Sequence, residues 1–275
     1  MRIEDESVSL YNLFLFKLFL SFAAGVGFAA LTFYVAARFG PRLGGIVSGI
    51  PSTSAVALFF IAFTQTDSDA ALAAVVIPAA LCGNLIFVLL NVYLSRTRHY
   101  LSALFISTLA WFVIALPLGF LKNLDLVNVT VAYLFVSISV HILLNRIDTG
   151  ETSKPAPKQG RRDLFVRSLF AGLVIALAVL ASNILGPQWG GLLASFPAMF
   201  FSTFIIFQRY YGWKYTADLT KTIPTGLFSV IPYVWAVHYL YPEYGFVIGT
   251  VLAYIASFLS LGFLFLVDVS KKKRG

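Results

Sequence analysis

The chemistry this sequence offers lies in small hydroxylated residues placed beside proline within apolar stretches. Pro51 is preceded by Ser48 and followed by Ser52, Thr53 and Ser54, and Pro197 is preceded by Ser195 and followed by Ser202 and Thr203. Proline has no backbone N–H, so it leaves a carbonyl one turn back without its helical partner. In hydrocarbon, such a carbonyl persists only where protein covers it or it lines a wet cavity. Freed carbonyls and hydroxyls together would bind a neutral or cationic polar group by hydrogen bonding alone. Ser48, Pro51, Ser52, Thr53, Ser195, Pro197, Ser202 and Thr203 are therefore expected to face one shared polar cavity, with Asn84 adding an amide. The competing reading is a pair of tight turns with close helix packing, the hydroxyls bonded to their own backbone.

Other chemistries find little support. Intramembrane ionisable residues are functional by default, yet no carboxylate falls in the middle of an apolar stretch, and His141 and His238 lie near the ends of theirs. Lys17 sits early in its stretch and can snorkel outward. The single cysteine, Cys82, allows no intramolecular disulfide. Zinc-ligand spacing, a phosphate loop and a nucleophile beside a base are all missing, so no enzyme, metal or cofactor is expected. Asn84 and Asn91, seven residues apart on one helical stretch, could line a polar path or bond between helices.

The elements that position these residues are membrane spans. Hydrophobic residues make up 59% of the 275 and charged ones only 12%, whereas soluble domains carry about 25% charged residues. Runs near 20 apolar residues, each able to cross roughly 30 Å of hydrocarbon, are expected over 13–39, 45–63, 70–94, 100–121, 126–144, 164–185, 191–207, 222–241 and 245–267. The result is an all-α integral membrane protein of about nine transmembrane helices. The polar stretch 146–163, holding Lys154-Pro155-Ala156-Pro157-Lys158, reads as a cytoplasmic linker. With that linker and the basic tail inside, all 20 lysines and arginines except Arg2, Lys17 and Lys122 fall on cytoplasmic segments. The positive-inside rule then puts the chain in the plasma (inner) membrane with its N-terminus outside and its C-terminus in the cytoplasm. The +8 charge is accounted for by topology and gives no nucleic-acid signal. Aromatic and basic residues alternate over Arg209–Lys221, which suits an interfacial belt or, more sharply, a contact with anionic lipid head groups.

An internal repeat organises the spans. Gly40-Pro41-Arg42-Leu43-Gly44-Gly45 through Pro51 recurs as Gly186-Pro187-Gln188-Trp189-Gly190-Gly191 through Pro197, 146 positions later, and Ile77-Pro78 falls on Ile223-Pro224 at the same offset. The first copy is expected on the cytoplasmic side and the second outside. The two four-helix units, 8–122 and 164–268, would therefore be inverted, with the extra helix 126–145 making this possible. Secondary transporters use inverted repeats because exchanging the conformations of the halves alternates access.

The second half resembles the GlpM family of small bacterial inner-membrane proteins. The resemblance is carried by Gly191 to Pro197, by Gly226-Leu227-Phe228-Ser229-Val230-Ile231-Pro232-Tyr233, and by the apolar run from Gly245 to Leu261. The first half matches only through Gly44-Gly45 and Pro51, and it lacks the Ile-Pro-Tyr element. The resemblance implies a membrane fold and a link to alginate production, with no settled activity. Two functions are thus in view: a transporter or flippase for a small polar or lipid-like solute, and a non-transporting accessory protein of an envelope or polysaccharide assembly.

Overall fold

The computed structural model describes residues 2–38, 50–121, 123–149 and 160–272. Gly40, Pro41, Gly44, Gly45 and Ser48 lie outside the described residues. The described chain forms α1 (Arg2–Arg38), α2 (Thr53–Thr64), α3 (Asp67–Leu94), α4 (Tyr100–Leu118) and α5 (Leu126–Asn145). It continues as α6 (Arg161–Leu185), α7 (Pro187–Ala194), α8 (Ala198–Thr220), α9 (Ile223–Leu227) and α10 (Val230–Lys272). Helix is the expected answer to a lipid solvent, because it satisfies its backbone within one segment. Among the described residues, seven helical stretches are long and apolar enough to cross a membrane, with α2 a shorter apolar helix.

Among the described residues, three glycines with positive φ set the reversals and bends. Gly186 (φ 105) ends α6 and sends α7 back along it. Gly212 (φ 81) bends α8. Gly245 (φ 74) folds α10 into a hairpin. The Tyr233 and Tyr254 rings on the two arms lie 5.1 Å apart, and Ser257 Oγ donates to the Ser229 carbonyl at 2.9 Å. In a straight helix, residues 21 positions apart would be separated by about 31 Å. Asp67 Oδ1 accepts the N–H of Phe246 at 3.1 Å, capping the arm that follows Gly245. Thr66 caps α3 through the Asp69 N–H, and Asp125 caps α5 through the Asn128 N–H.

α3 is the hub. Most of its apolar stretch is buried, at 72%, against 17% for that of α1, and it packs against α4, α5, α7 and α10. α1 crosses α6 antiparallel. Gly25 meets Gly172 and Ile175, while Phe33, further along α1, meets Arg167, earlier on α6. Phe19, Phe105, Val113, Phe135, Leu259 and Phe263 point outward, as a girdle solvated by lipid requires.

The helix ends gather at two faces. At one, Asp67 meets Phe246, Ser182 donates to Gln65 at 3.2 Å, and the Trp189 ring packs edge-on against Phe120. At the other, Arg96 lies over the Trp213 ring at 5.3 Å, and Lys221 Nζ reaches Thr149 at 3.1 Å and Asp218 at 3.2 Å.

Several boundaries differ from expectation. Residues 2–12 contain no glycine or proline, and α1 runs back to Arg2 instead of starting near Leu13. Within the expected span 191–207 the helix breaks at Ser195–Pro197, because Pro197 cannot donate to the α7 ladder. The segment Arg209–Lys221 is helical up to Thr220, and α6 begins at Arg161, inside the expected linker. Pro232 sits in the first turn of α10, where a missing N–H costs nothing.

Candidate functional site

The two proline turns close with the same hydrogen bond. The Ser52 N–H donates to the Ile50 carbonyl at 2.6 Å, and the Ala198 N–H donates to the Phe196 carbonyl at 2.7 Å. Each bond spans one proline, and both partners of the second pair lie 146 positions after those of the first. Pro197, at φ −74 and ψ 47, sits near the inverse γ-turn. A helix starts immediately after each turn: α2 at Thr53 and α8 at Ala198.

Carbonyls released by these turns are taken up by side chains of other elements. Ser54 Oγ donates to the Ala194 carbonyl at 3.1 Å, and Asn84 Nδ2 donates to the Ser195 carbonyl at 2.9 Å. The Tyr254 hydroxyl donates to the Pro51 carbonyl at 3.3 Å. Asn84 Oδ1 in turn accepts from Trp111 Nε1 at 2.6 Å, and the Trp111 ring stands edge-on to Phe196. Ser52 Oγ lies 3.1 Å from the Met199 sulfur.

Between the turns is a cavity of about 40 Å³, space for about two or three waters. Pro51, Ser52, Thr53 and Ser54 line one side, Ser195, Phe196, Pro197 and Met199 the other, with Asn84 and Leu81 beneath. Of the residues expected to share a cavity, Pro51, Ser52, Thr53, Asn84, Ser195 and Pro197 are brought together here.

Ser202 and Thr203 are not. They lie more than a turn into α8, about 6 Å along its axis from Ala198 and Met199 and beside α6. Ser202 Oγ bonds back to the Ala198 carbonyl at 3.0 Å and lines a different cavity. Thr203 Oγ1 donates to the Met199 carbonyl and accepts from Arg167 Nη2, both at 2.6 Å. Ser195 lines the cavity, but its hydroxyl bonds to the Gly191 carbonyl at 2.9 Å.

The described half of the glycine motif sets the position of the second turn. Gly186 makes the reversal and Pro187 opens α7. A side chain at Gly190 would collide with Ser182 on α6, and one at Gly191 with the backbone carbonyl of Ala73 on α3. α7 is therefore pressed against both helices, and its broken end meets Asn84 on α3.

Sequence reasoning missed Trp111, Tyr254 and Gln208. Their signal was a polar-tipped aromatic or an amide inside an apolar run, a type that seeks a partner when buried. Gln208 Nε2 donates to Asn91 Oδ1 at 2.6 Å, and Ser95 donates to Gln208 Oε1 at 3.1 Å. Asn91 thus bonds α3 to α8, away from the cavity.

Two apolar crevices flank the site. One, of about 300 Å³, lies between α1, α2 and the second arm of α10, at Phe28, Phe59 and Tyr254. The other, of about 180 Å³, lies between α6, α7 and α4, at Phe112, Phe170 and Val174. Phe28 and Val174, and likewise Ala24 and Phe170, are related by the offset of 146. Among the described residues no three histidine, cysteine or acidic side chains are grouped to hold a metal.

A family model described as "Protein of unknown function (DUF3147)" matches the chain twice, over residues 18–122 and 164–270. The two matches begin 146 positions apart, the spacing of the proline turns, and α5 lies between them. The chain is therefore a duplication. No curated protein and no solved structure matches it.

Proposed function

This chain belongs to the DUF3147 family, as two family units in one multispan membrane protein, and on that premise we propose that it is a transporter or flippase working by alternating access on a small polar or lipid-like solute. The observation that carries this reading is the pair of matching proline turns, one from each half, facing one cavity. Broken helices that meet between repeats are where secondary transporters place their substrates.

Inverted orientation of the halves is part of the proposal. Its support is that α1 and α6, which occupy matching places in the two units, cross antiparallel. Counting α2 and the two arms of α10 separately raises the seven apolar stretches to nine crossings. The face holding Arg96, Arg209, Lys214 and Lys221 would be cytoplasmic, and the face holding Asp67 and Asp125 external, in an inner membrane. The paired apolar crevices favour a lipid-like solute, since each runs from the lipid-facing surface toward a residue beside the cavity, Tyr254 in one and Phe196 in the other.

A second reading, a non-transporting accessory protein, draws on the small cavity and on the engagement of both ends of the Asn84 amide. The GlpM resemblance of the second half points the same way.

The test uses protein reconstituted into liposomes carrying a fluorescent phospholipid analogue, with leaflet exchange followed by an impermeant quencher. Exchange above that of protein-free vesicles is expected. In a Cys82→Ser background, the pair Ser54→Cys and Ala194→Cys should halt exchange when oxidised and restore it on reduction. Absence of exchange for this lipid, together with absence of flux for glycerol and small zwitterions, sinks the transport reading and leaves the accessory one.

A further inference from the structure

A buried arginine outside the central cavity has Asp163 as a nearby opposite charge but leaves two of its nitrogens without a hydrogen-bond partner. Arg167 on α6 is only 5% exposed. Its Nη2 donates to Thr203, and its guanidinium carbon lies 3.9 Å from the Phe33 ring centre. Nε and Nη1, which carry three of the five N–H groups, have no hydrogen-bond partner among the described residues. A guanidinium does not lose its proton to escape burial, and a buried charge is tolerated when paired. Two unsatisfied nitrogens on one buried cation therefore call for an anion.

The surroundings fit one kind of anion. Arg167 opens onto a cavity of about 190 Å³, lined also by Arg162, Asp163 and Arg209. Three guanidinium groups face one carboxylate there. Arg162 and Arg209 are exposed, and Arg167 lies five residues further along α6, about 8 Å deeper. The walls above the buried charge are apolar, formed by Val166, Ile205 and Ile206, and Val166 is 56% exposed. A cationic pocket with hydrocarbon walls at the basic face of a membrane protein matches a phosphate group attached to acyl chains. Arginine suits phosphate oxygens because its planar, weakly hydrated fork offers several donors at once.

We propose that this pocket holds the phosphate of an anionic lipid head group. The site is separate from the proline turns and does not rest on the transport reading. It explains why Thr203 is turned toward α6, holding one edge of the guanidinium and leaving the others to the ligand.

Purified full-length protein in neutral detergent would be titrated with phosphatidylglycerol, phosphatidylcholine and inorganic phosphate, with thermal unfolding as the readout. Phosphatidylglycerol should raise Tm and phosphatidylcholine should not. The double variant Arg162→Gln/Arg209→Gln should weaken that response by about tenfold or more, the scale of a lost charge-assisted hydrogen bond. Both substitutions are at the surface, so this variant remains decisive even if Arg167→Gln fails to fold. An arginine-dependent response to inorganic phosphate with none to phosphatidylglycerol overturns the lipid assignment in favour of a soluble phosphate compound. Equal responses to both lipids, or a phosphatidylglycerol response unchanged in the double variant, overturn the site.

Discussion

The side-chain amide of Asn84 donates to the backbone carbonyl of Ser195 at 2.9 Å, linking the hub helix of the first half to the broken helix of the second. The other end of the same amide is held by Trp111 at 2.6 Å. Asn84 thus ties the second proline turn, already positioned by Gly190 and Gly191, to α3 and α4. Replacing Asn84 by leucine leaves a buried carbonyl and a buried indole N–H unpaired, and each such group costs about 1–3 kcal/mol. Asn84→Leu should therefore lower stability by roughly 3 kcal/mol, read as an earlier midpoint in detergent-based unfolding. An unchanged midpoint would mean that water reaches both groups.

Gly191 is pressed onto the Ala73 carbonyl on α3, where a Cβ has no room. A clash with backbone cannot be relieved by a rotamer change. Gly191→Val should destabilise by about 2 kcal/mol or more through overpacking. Gly27, with open space around it, is the control: Gly27→Ala should be neutral or slightly stabilising in the same assay.

The two faces of the bundle should label from opposite sides of the membrane. In a Cys82→Ser background, single cysteines at Ser68, Gln188 and Tyr244 should react with an impermeant external reagent. Those at Thr97 and Lys214 should react only after the membrane is opened. External labelling at Thr97 would reverse the proposed orientation.

Tyr254 stands between a lateral crevice and the Pro51 carbonyl, to which it donates. If lipid-like solutes enter there, Tyr254→Phe removes the bond without changing the shape. It should alter the rate of fluorescent lipid exchange severalfold while shifting stability by about 1 kcal/mol at most. Thr53→Val, which removes a hydroxyl from the cavity wall, should slow exchange as well. If both variants exchange at the parent rate, the crevice and cavity belong to packing alone.

The membrane class, the duplication and most spans were legible in the sequence because they rest on local quantities: apolar run length, charge placement and a repeated glycine–proline spacing. The lipid solvent leaves a chain of this composition few structures other than helices. Pro51 and Pro197 were legible as candidate breaks for the same reason, since a missing N–H removes a rung from the helical ladder, although Pro78 is carried inside α3 without ending it. The partners of the freed carbonyls were not legible. Whether a freed carbonyl meets water, a substrate or a side chain depends on which helices the fold brings alongside. Asn84, Ser54 and Tyr254 lie 111, 140 and 203 positions from the residues they bond. Helical rise decided the rest. Ser202 and Thr203 have the right chemistry, but they lie about one turn, roughly 6 Å, further along α8 than the cavity wall, and there Thr203 meets Arg167 on α6. Arg167 itself reads as one more positive charge near a linker until the tertiary structure buries it, since burial is a property of the neighbours and not of the residue.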